Sequence, residues 1–309
     1  HNTVTVAGYR LPLHFTENFS QTFLFSLSSM RAHYVNGPEG QGGWDDSESV
    51  SSVVRIGAST WSTWLPITTR VRKFFNLKTV LGGEFYHTDA QSLSSFMGSP
   101  SSWEKPADVV GVYGQVLAKT LWAAVQMGVR YDRNSYYGSS TNPRVGVSLP
   151  IGRILRTTER GLEVHLKGSW GKGFRTPTVA EIMWNKDLKA ERSRGGDAGI
   201  VVLLQRLKLS FEAAYFKNRI EDMIAYNFNT WKLENFKAAQ IEGFEFGVVA
   251  KPVKVLNLRC SFTHQIPRDI ETGEYLAPVS RNFGTLALNW LPKKTLRFGM
   301  IVRLSEPYG

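Results

Sequence analysis

The sequence predicts an all-β protein that crosses a membrane as a transmembrane antiparallel up-and-down β-barrel. Three observations predict it: polar and apolar residues alternate along most of the chain, the alternating segments are long, and their connections alternate between short and long. A period of two places successive side chains on opposite faces of a strand. In a membrane barrel one face meets lipid and the other a polar lumen, so the mean hydropathy stays low, here −0.21.

The alternation is regular from residue 109 onwards. In residues 162–170, leucine, valine and tryptophan share one face while glutamate, histidine and lysine share the other. A closed soluble barrel would need an apolar interior, so a polar face indicates a lumen that holds water or a polar plug. The polar residues predicted to point inward are Arg130, Asp132, Glu163, His165, Lys167, Glu212, Arg259 and Arg297.

Segment and connection lengths favour a membrane barrel over a soluble propeller, which remains the alternative. Many segments exceed the 9–11 residues that a strand needs to span a bilayer. The predicted short connections are Leu65–Thr68, Ala118–Thr120, Gln205–Leu207, Lys251–Lys254 and Leu291–Lys294. The predicted long loops are Asn36–Ser49, Thr88–Pro106, Arg133–Pro143, Arg175–Arg192, Tyr226–Asn235 and Pro267–Val279. Short turns at one rim and long loops at the other are typical of outer-membrane barrels, and so are the interfacial aromatics predicted at Tyr131, Trp170, Tyr215 and Trp290.

Composition excludes several classes of protein. No apolar run approaches the roughly 20 residues of a membrane helix. Cys260 is the only cysteine, so neither an intrachain disulfide nor a cysteine zinc site is possible. The histidines are scattered and no catalytic motif is present, so we expect no enzyme, no metal and no cofactor. The net charge of +11 suits acidic ligands or lipopolysaccharide phosphates; without a basic block, nucleic acid is not expected as a partner.

Three segments carry a family resemblance. Gly173–Pro177 reads G-F-R-T-P, Asn185–Ser193 reads N-K-D-L-K-A-E-R-S, and Tyr215–Ile224 reads Y-F-K-N-R-I-E-D-M-I. These segments resemble, in order and spacing, boxes in the barrel of TonB-dependent outer-membrane receptors. Weaker matches lie at residues 128–132, 142–146, 239–245 and 278–282, so the resemblance covers about Val109 to Arg303.

The resemblance implies a larger protein than this chain. Barrels of this family have 22 strands and an N-terminal plug, whereas the alternation here predicts about 14 strands and no plug. An open sheet at membrane depth would leave backbone groups unpaired in lipid. We therefore expect residues 1–309 to be a single partial outer-membrane β-barrel domain, with the plug domain and the barrel ends absent.

The resemblance also implies a function. Its members are transporters in the outer membrane of Gram-negative bacteria that take up a scarce nutrient when TonB remodels the plug. For this chain it implies TonB as a partner through the missing plug, outer-membrane lipid and lipopolysaccharide around the barrel, and a ferric siderophore as the first choice of ligand. Cobalamin, haem and glycans stay open, although the lack of histidine between Phe174 and Leu188 argues against haem.

Other classes of function remain open. A passive porin, a surface-binding barrel that serves as an adhesin or phage receptor, and a barrel enzyme would all share the alternation. For ligand contact in a receptor, we expect flat or cationic side chains in the long loops. The predicted contacts are Trp44, Tyr136, Tyr137, Arg175, Trp184, Trp231 and Arg268.

Overall fold

The strands that the structure describes form one antiparallel sheet of fifteen strands. The computed structural model describes residues 2–16, 19–35, 44–64, 75–96, 99–104, 106–227, 230–276, 279–293 and 295–306. The strands are β1 (Asn2–Thr16), β2 (Phe19–Val35), β3 (Trp44–Trp64), β4 (Phe75–Phe96), β5 (Ser99–Glu104), β6 (Ala107–Thr120), β7 (Ala124–Asn134), β8 (Gly138–Leu149), β9 (Leu162–Arg175), β10 (Glu191–Leu204), β11 (Leu209–Asn227), β12 (Lys232–Val253), β13 (Leu256–Asp269), β14 (Asn282–Lys293) and β15 (Leu296–Ser305).

Each strand pairs with its neighbour in sequence. The order along the sheet is β1 to β4 and then β6 to β15, and β5 forms a side hairpin on the distal part of β4. This up-and-down meander confirms the predicted fold class, and its continuous path holds fourteen strands. Within the described sheet β1 and β15 do not pair with each other, so both remain edge strands.

Four short helical segments join strands in the described part of the chain. They are α1 (Ile151–Ile154), a 3₁₀ turn (Thr157–Arg160), α2 (Val179–Trp184) and a second 3₁₀ turn (Gln205–Leu207). Among the described residues no helix has the length and apolar character needed to cross a bilayer.

The connection from β8 to β9, residues 150–161, contains α1 and is longer than the other connections that the structure describes at the rim of short turns. Gly152 is buried there, and a Cβ on it would lie 2.7 Å from the backbone nitrogen of Val164. The absence of a side chain at this position lets α1 lie directly against β9. The sequence pattern does not predict this segment.

One face of the sheet is apolar and exposed. The alternation is as predicted, because apolar side chains that share this face are exposed. They include Leu166, Ile200, Phe211, Phe246, Phe262 and Met300. Tyr131, Trp170 and Tyr215 border this face towards the loop rim, and Trp290 stacks on Phe298, with ring centroids 5.3 Å apart, near the turn rim. Cys260 lies exposed between the apolar residues of β13. A continuous apolar face of this size is unfavourable in water and suits lipid.

Several predicted loops are shorter in the structure. β3 begins at Trp44, β4 continues to Phe96 and pairs with β5, and three residues, 135–137, turn β7 into β8. The predictions 36–49, 88–106, 133–143 and 226–235 were therefore too long, because polar segments beyond the membrane still satisfy their backbone groups in a ladder. The loops after Arg175 and after Asp269 are confirmed. The predicted turn 118–120 lies at 121–123, and the turn at 65–68 falls outside the described residues.

Candidate functional site

The polar face carries a charge cluster on β4, β6 and β7. The guanidinium of Arg130 donates to Asp132, with Nε 2.8 Å from Oδ1, and also to the nearly buried carboxylate of Glu84. Gly111 lies between these two acids in the strand register. A Cβ on Gly111 would lie 2.5 Å from Nη2 of Arg130, so only glycine lets the guanidinium reach both carboxylates.

A cavity of about 400 Å³ adjoins this cluster. Arg144 and Arg130 lie on its wall, and the side-chain amide of Gln115 accepts a hydrogen bond from the Arg144 guanidinium. Arg144 forms no ion pair with any carboxylate in the described parts of the chain. The other lining residues that carry polar side chains are Glu84, Tyr113, Asn142 and Lys172. Glu84 and Asp132 together carry one charge more than Arg130, so this cluster has a net charge of −1. The cations of the cavity that no carboxylate engages among the described residues are Arg144 and, at its margin, Lys172.

The wall opens beside this cavity. β8 and β9 pair only from Leu149 up to Arg144, which faces Gly171, and the two strands separate beyond this point. Lys172 follows the last pair and lines the opening.

Further ion pairs follow the interior face towards the turn rim. The ammonium of Lys167 reaches the carboxylate of Glu212 across β10, and the imidazole of His165 lies 3.6 Å from the carboxylate of Glu163. These residues are therefore together on the face predicted for them. Among the described residues no group of three metal-ligating side chains occurs.

The loop of residues 176–190 is locked to the barrel through Arg175. Its guanidinium holds Glu191, with Nη2 2.6 Å from Oε1, and Glu181, with Nη1 2.9 Å from Oε2. The hydrogen bond to Glu191 is the main cause that raises the pKa of Arg175. Thr178 caps α2 in a capping box, since its hydroxyl accepts from the Glu181 amide while the Glu181 carboxylate accepts from the Thr178 amide.

The same loop packs onto the β11–β12 hairpin. Ile182 and Leu188 are buried, and the side-chain amide of Asn185 donates to the carbonyl of Leu233 at 2.8 Å. The backbone amide of Lys189 donates to the side-chain oxygen of Asn235 at 2.7 Å. The loop is thus a fixed lip of the barrel mouth at the loop rim rather than a free segment.

Comparison with known proteins decides the family. The model of the family described as TonB dependent receptor-like, beta-barrel, matches residues 1–308. The chain belongs to this family. Its members are receptors and transporters of the Gram-negative outer membrane.

Solved receptors of this family have the same fold. The ferric-catecholate import receptor Fiu from E. coli K12 superposes with a TM-score of 0.72 at 12% identity, covering 98% of this chain and 53% of that chain. The ferric enterobactin receptor PfeA from Pseudomonas aeruginosa gives 0.73 at 16% identity, covering 99% and 51%. The chain therefore spans about half the length of the solved receptors that it matches.

A curated relative shows higher identity over a shorter stretch. Transferrin-binding protein A of Neisseria meningitidis serogroup B is 33% identical over an alignment of 121 residues, and the match covers 35% of this chain and 13% of that protein. The matched stretch is too short a part of either protein to assign a ligand.

Four of the predicted contact residues lie on neighbouring connections at the loop rim. Trp184 and Trp231 are 65% and 75% exposed on loops that are hydrogen-bonded to each other, and Tyr136 is 49% exposed in the β7–β8 turn. Tyr137 follows it in this turn; burial and the nearby charge of Glu181 raise the Tyr137 pKa.

The remaining predicted contacts differ in their surroundings. Arg175 lies at this mouth, but its guanidinium is engaged by two carboxylates. Arg268 lies on β13, where its guanidinium stands 5.5 Å from the ring centroid of Tyr275; Arg281 covers the same ring at 3.7 Å. Trp44 begins β3 and pairs in register with Phe96, and its side chain is outside the described residues.

Sequence reasoning missed the cavity around Arg144. Arg144 stands two residues after Asn142 in β8, and the alternation that placed Arg130 inside also places both on the interior face. The alternation thus contains the signal for an interior Arg144, whereas the predicted ligand contacts all lay outside β8.

Proposed function

We propose that this chain is barrel wall of a TonB-dependent receptor that takes up a ferric siderophore across the outer membrane of a Gram-negative bacterium. The observation that carries the ligand class is Arg144. Its guanidinium faces the cavity on the interior side without a carboxylate partner among the described residues. A guanidinium without an ion-pair partner in a partly enclosed site can donate charge-assisted hydrogen bonds to an anionic ligand.

Ferric siderophores fit this chemistry because their catecholate or carboxylate oxygens carry negative charge around the iron. A guanidinium donates to such oxygens in a fixed planar geometry. At the mouth, the exposed rings of Tyr136, Trp184 and Trp231 offer flat faces on which aromatic chelating groups stack. We propose a path from these rings inward to Arg144, with no covalent chemistry by the protein.

We further propose that the remaining barrel strands and the plug belong to a longer chain. Edge strands β1 and β15 present unpaired backbone groups, and in lipid each such group costs several kcal/mol. Additional strands between them would close the barrel around the plug, through which TonB would act.

A second candidate ligand is a host iron-carrier protein. The reason to consider it is the local similarity to transferrin-binding protein A, 33% identity over 121 residues. A carrier protein would dock on the exposed loops and would not enter the cavity at Arg144. The two candidates therefore make opposite predictions for this residue.

The test is uptake of radioactive iron by an iron-starved strain that lacks its own copy of the receptor gene. Complementation with the wild-type gene is compared with Arg144→Ala and with Arg153→Ala, an exposed arginine at the turn rim, as matched control. We expect ferric-siderophore uptake to fall about tenfold in Arg144→Ala and to be unchanged in Arg153→Ala.

Two outcomes would contradict the proposal that the ligand is a ferric siderophore. One is a wild-type receptor that restores no growth with catecholate, hydroxamate or carboxylate chelates but restores growth on iron-loaded transferrin. The other is uptake of every chelate in the energy-depleted cell, which a passive porin would show.

A further inference from the structure

The barrel wall has a slot between β8 and β9 at the loop rim. The two strands pair only up to Arg144, which faces Gly171. Beyond this pair β8 contains residues 138–143 and β9 contains residues 172–175, and these two segments do not pair with each other. Pro143, the first residue of β8 past the last pair, has no N–H to donate to a ladder. We call the space between the two segments the β8–β9 slot.

Both edges of the slot are held in extended form by the strands behind them. Residues 138–144 pair with β7 in unbroken register, and residues 172–175 pair with β10. The guanidinium of Arg175 also fixes the end of β9 through two hydrogen bonds to Glu191. An unpaired strand edge presents N–H and C=O groups that can pair with another chain. A preformed edge loses little conformational entropy when it does so.

The edge of β8 lacks the usual protection against such pairing. Natural proteins protect exposed edges with charged side chains, above all lysine, and with proline. Residues 138–142 read G-S-S-T-N and carry neither a charge nor an aromatic ring. Pro143 therefore limits the free edge only at its membrane-proximal end, and the five residues before it remain a template for a further strand.

A cavity of about 250 Å³ lies in the slot, and its lining is cationic. Ser139–Asn142 line it from β8, Lys172 lines it from β9, and Arg192 and Arg194 line it from β10. Among the described lining residues Glu221 supplies the one carboxylate, 3.9 Å from Nη2 of Arg194. Lys172 and Arg192 form no ion pair with any carboxylate that the structure describes. Three cations and one carboxylate give this lining a net charge of +2.

The height of the slot on the barrel limits what can fill it. Trp170, directly before Gly171, is exposed at the border of the apolar face, where barrel aromatics mark the membrane interface. The slot therefore begins at this border and extends away from the bilayer, towards the loop of residues 176–190. An extended polypeptide can pair with the free N–H and C=O groups there, whereas a lipid chain cannot.

We propose that the β8–β9 slot is a docking site for an acidic segment of a partner protein, which adds a strand to the free edge of β8. Main-chain hydrogen bonds supply affinity in this mode of recognition. Acidic side chains of the segment meet Lys172 and Arg192 across the slot in charge-assisted hydrogen bonds. The proposal concerns a protein partner and does not depend on the ligand that the receptor transports.

The test measures binding of a synthetic peptide to the purified full-length receptor, together with amide hydrogen exchange of the receptor. In the probe peptide glutamate and threonine alternate and both ends are blocked. We expect the peptide to bind and to slow exchange at residues 138–142 at least about tenfold. A second peptide, in which proline replaces every threonine, keeps the charge but cannot form a ladder. It should neither bind as tightly nor slow this exchange.

Two sets of variants separate charge from position. In Lys172→Gln/Arg192→Gln we expect about tenfold weaker binding of the probe. Arg153→Gln/Arg156→Gln, which removes two exposed cations at the turn rim, should bind it as wild type does. Equal thermal unfolding midpoints would show that both double variants fold.

The position is tested with Thr141→Cys in a Cys260→Ser background, because Thr141 is an exposed residue of the cavity wall. An aromatic thiosulfonate reagent forms a mixed disulfide with the new thiol and should block the probe. Binding should return in the same molecules when a reductant removes the reagent, which also shows that they are folded. The same reagent on Lys254→Cys should leave binding unchanged.

Several results would overturn the proposal. They are equal binding of the proline peptide, unchanged exchange at residues 138–142, and equal losses in the two double variants. Displacement of the probe by millimolar inorganic phosphate would assign the slot to small anions, and displacement by a ferric chelate would assign it to the transported ligand. Association of the receptor with itself that is lost when Thr141→Cys is modified would assign the slot to a second copy. If no form transports a siderophore but the peptide results hold, the proposed function fails and this site stands.

Discussion

The guanidinium of Arg175 and the carboxylate of Glu191 meet through two parallel hydrogen bonds, Nε to Oε2 at 2.7 Å and Nη2 to Oε1 at 2.6 Å. The same carboxylate accepts the backbone amide of Ile224 at 2.8 Å. One acid therefore ties the end of β9 to the start of β10 and to β11. Arg175 holds the lip of the mouth in place. The arginine of the G-F-R-T-P segment therefore has a structural role, which is to anchor the loop of residues 176–190 to the barrel.

Removing this arginine should loosen the lip. Arg175→Ala leaves Glu191 without its cation, and because the pair is partly exposed we expect a local cost of about 1–2 kcal/mol. Trypsin cleavage after Lys186 and Lys189 should then become roughly tenfold faster in the folded receptor. Arg194→Ala, at an exposed arginine on the same β10 hairpin, serves as control. Equal cleavage rates in both variants would contradict the anchoring role.

The lip should also respond to acid. Burial raises the pKa of Glu181, but the hydrogen bonds from Arg175 and Thr178 outweigh it and hold the pKa below its ordinary value of 4.5. A lowered pKa in the folded state means that the stabilisation is complete above pH 4.5 and is lost as the pH falls through the folded pKa. The rate of proteolysis by an acid protease should therefore rise below pH 4.5.

Glu181→Gln separates this carboxylate from others that titrate in the same range. The pKa of Glu234 is lowered too, through hydrogen bonds from Asn227 and Thr230. In Glu181→Gln we expect proteolysis of the α2 loop to be faster and its rate to depend less on pH below pH 4.5. In Glu234→Gln the rate of proteolysis at the α2 loop should keep the wild-type dependence on pH. An unchanged slope in Glu181→Gln would show that another group controls the lip.

Glycine at position 111 should be required for the interior ion pairs. In Gly111→Ala the new methyl would lie 2.5 Å from Nη2 of Arg130 and 2.7 Å from Oδ1 of Asp132. We expect a loss of about 1–3 kcal/mol of stability, as for other overpacked sites, seen as a lower thermal unfolding midpoint. Gly83→Ala is the control, since its methyl meets nothing closer than 3.7 Å. Equal midpoints for both variants would contradict the tight packing.

The single cysteine reports which face meets lipid. Cys260 is exposed on the apolar face. A charged thiol reagent cannot reach it in a membrane, because transferring an ion into hydrocarbon is costly. In intact membranes we expect Cys260 to be labelled at least about tenfold more slowly than the cysteine of Lys254→Cys in a Cys260→Ser background. In detergent the two labelling rates should become equal. Equal labelling in membranes would contradict the lipid-facing assignment.

The sequence predicted the strands well where a membrane imposes two different surroundings on one strand. Leu166 and Lys167 differ because lipid lies on one side and the lumen on the other. Beyond the membrane both faces of a strand meet water, so the serine-rich end of β4 carries no alternation and was mistaken for a loop. The four-residue helix α1 is too short for any period, and its position depends on Gly152 packing against a strand.

The site was harder to predict than the fold. The loop aromatics Trp184 and Trp231 are exposed at the mouth, where the sequence suggested flat contact surfaces. The partners of Arg175, by contrast, stand 6 and 16 residues away, and no local pattern shows that they satisfy it. The sequence does not show that Arg130 is paired with Glu84 and Asp132 whereas Arg144 has no carboxylate partner among the described residues. Only the strand register and the side-chain contacts distinguish these two arginines.

The order of the strands also bears on how this wall assembles. Every pairing on the main path joins strands that are neighbours in sequence, with β5 as the one excursion among the described strands. Each new hairpin therefore closes a short loop at a small entropic cost. Low contact order of this kind lets the wall grow one hairpin at a time from a paired edge, without waiting for a distant segment to arrive.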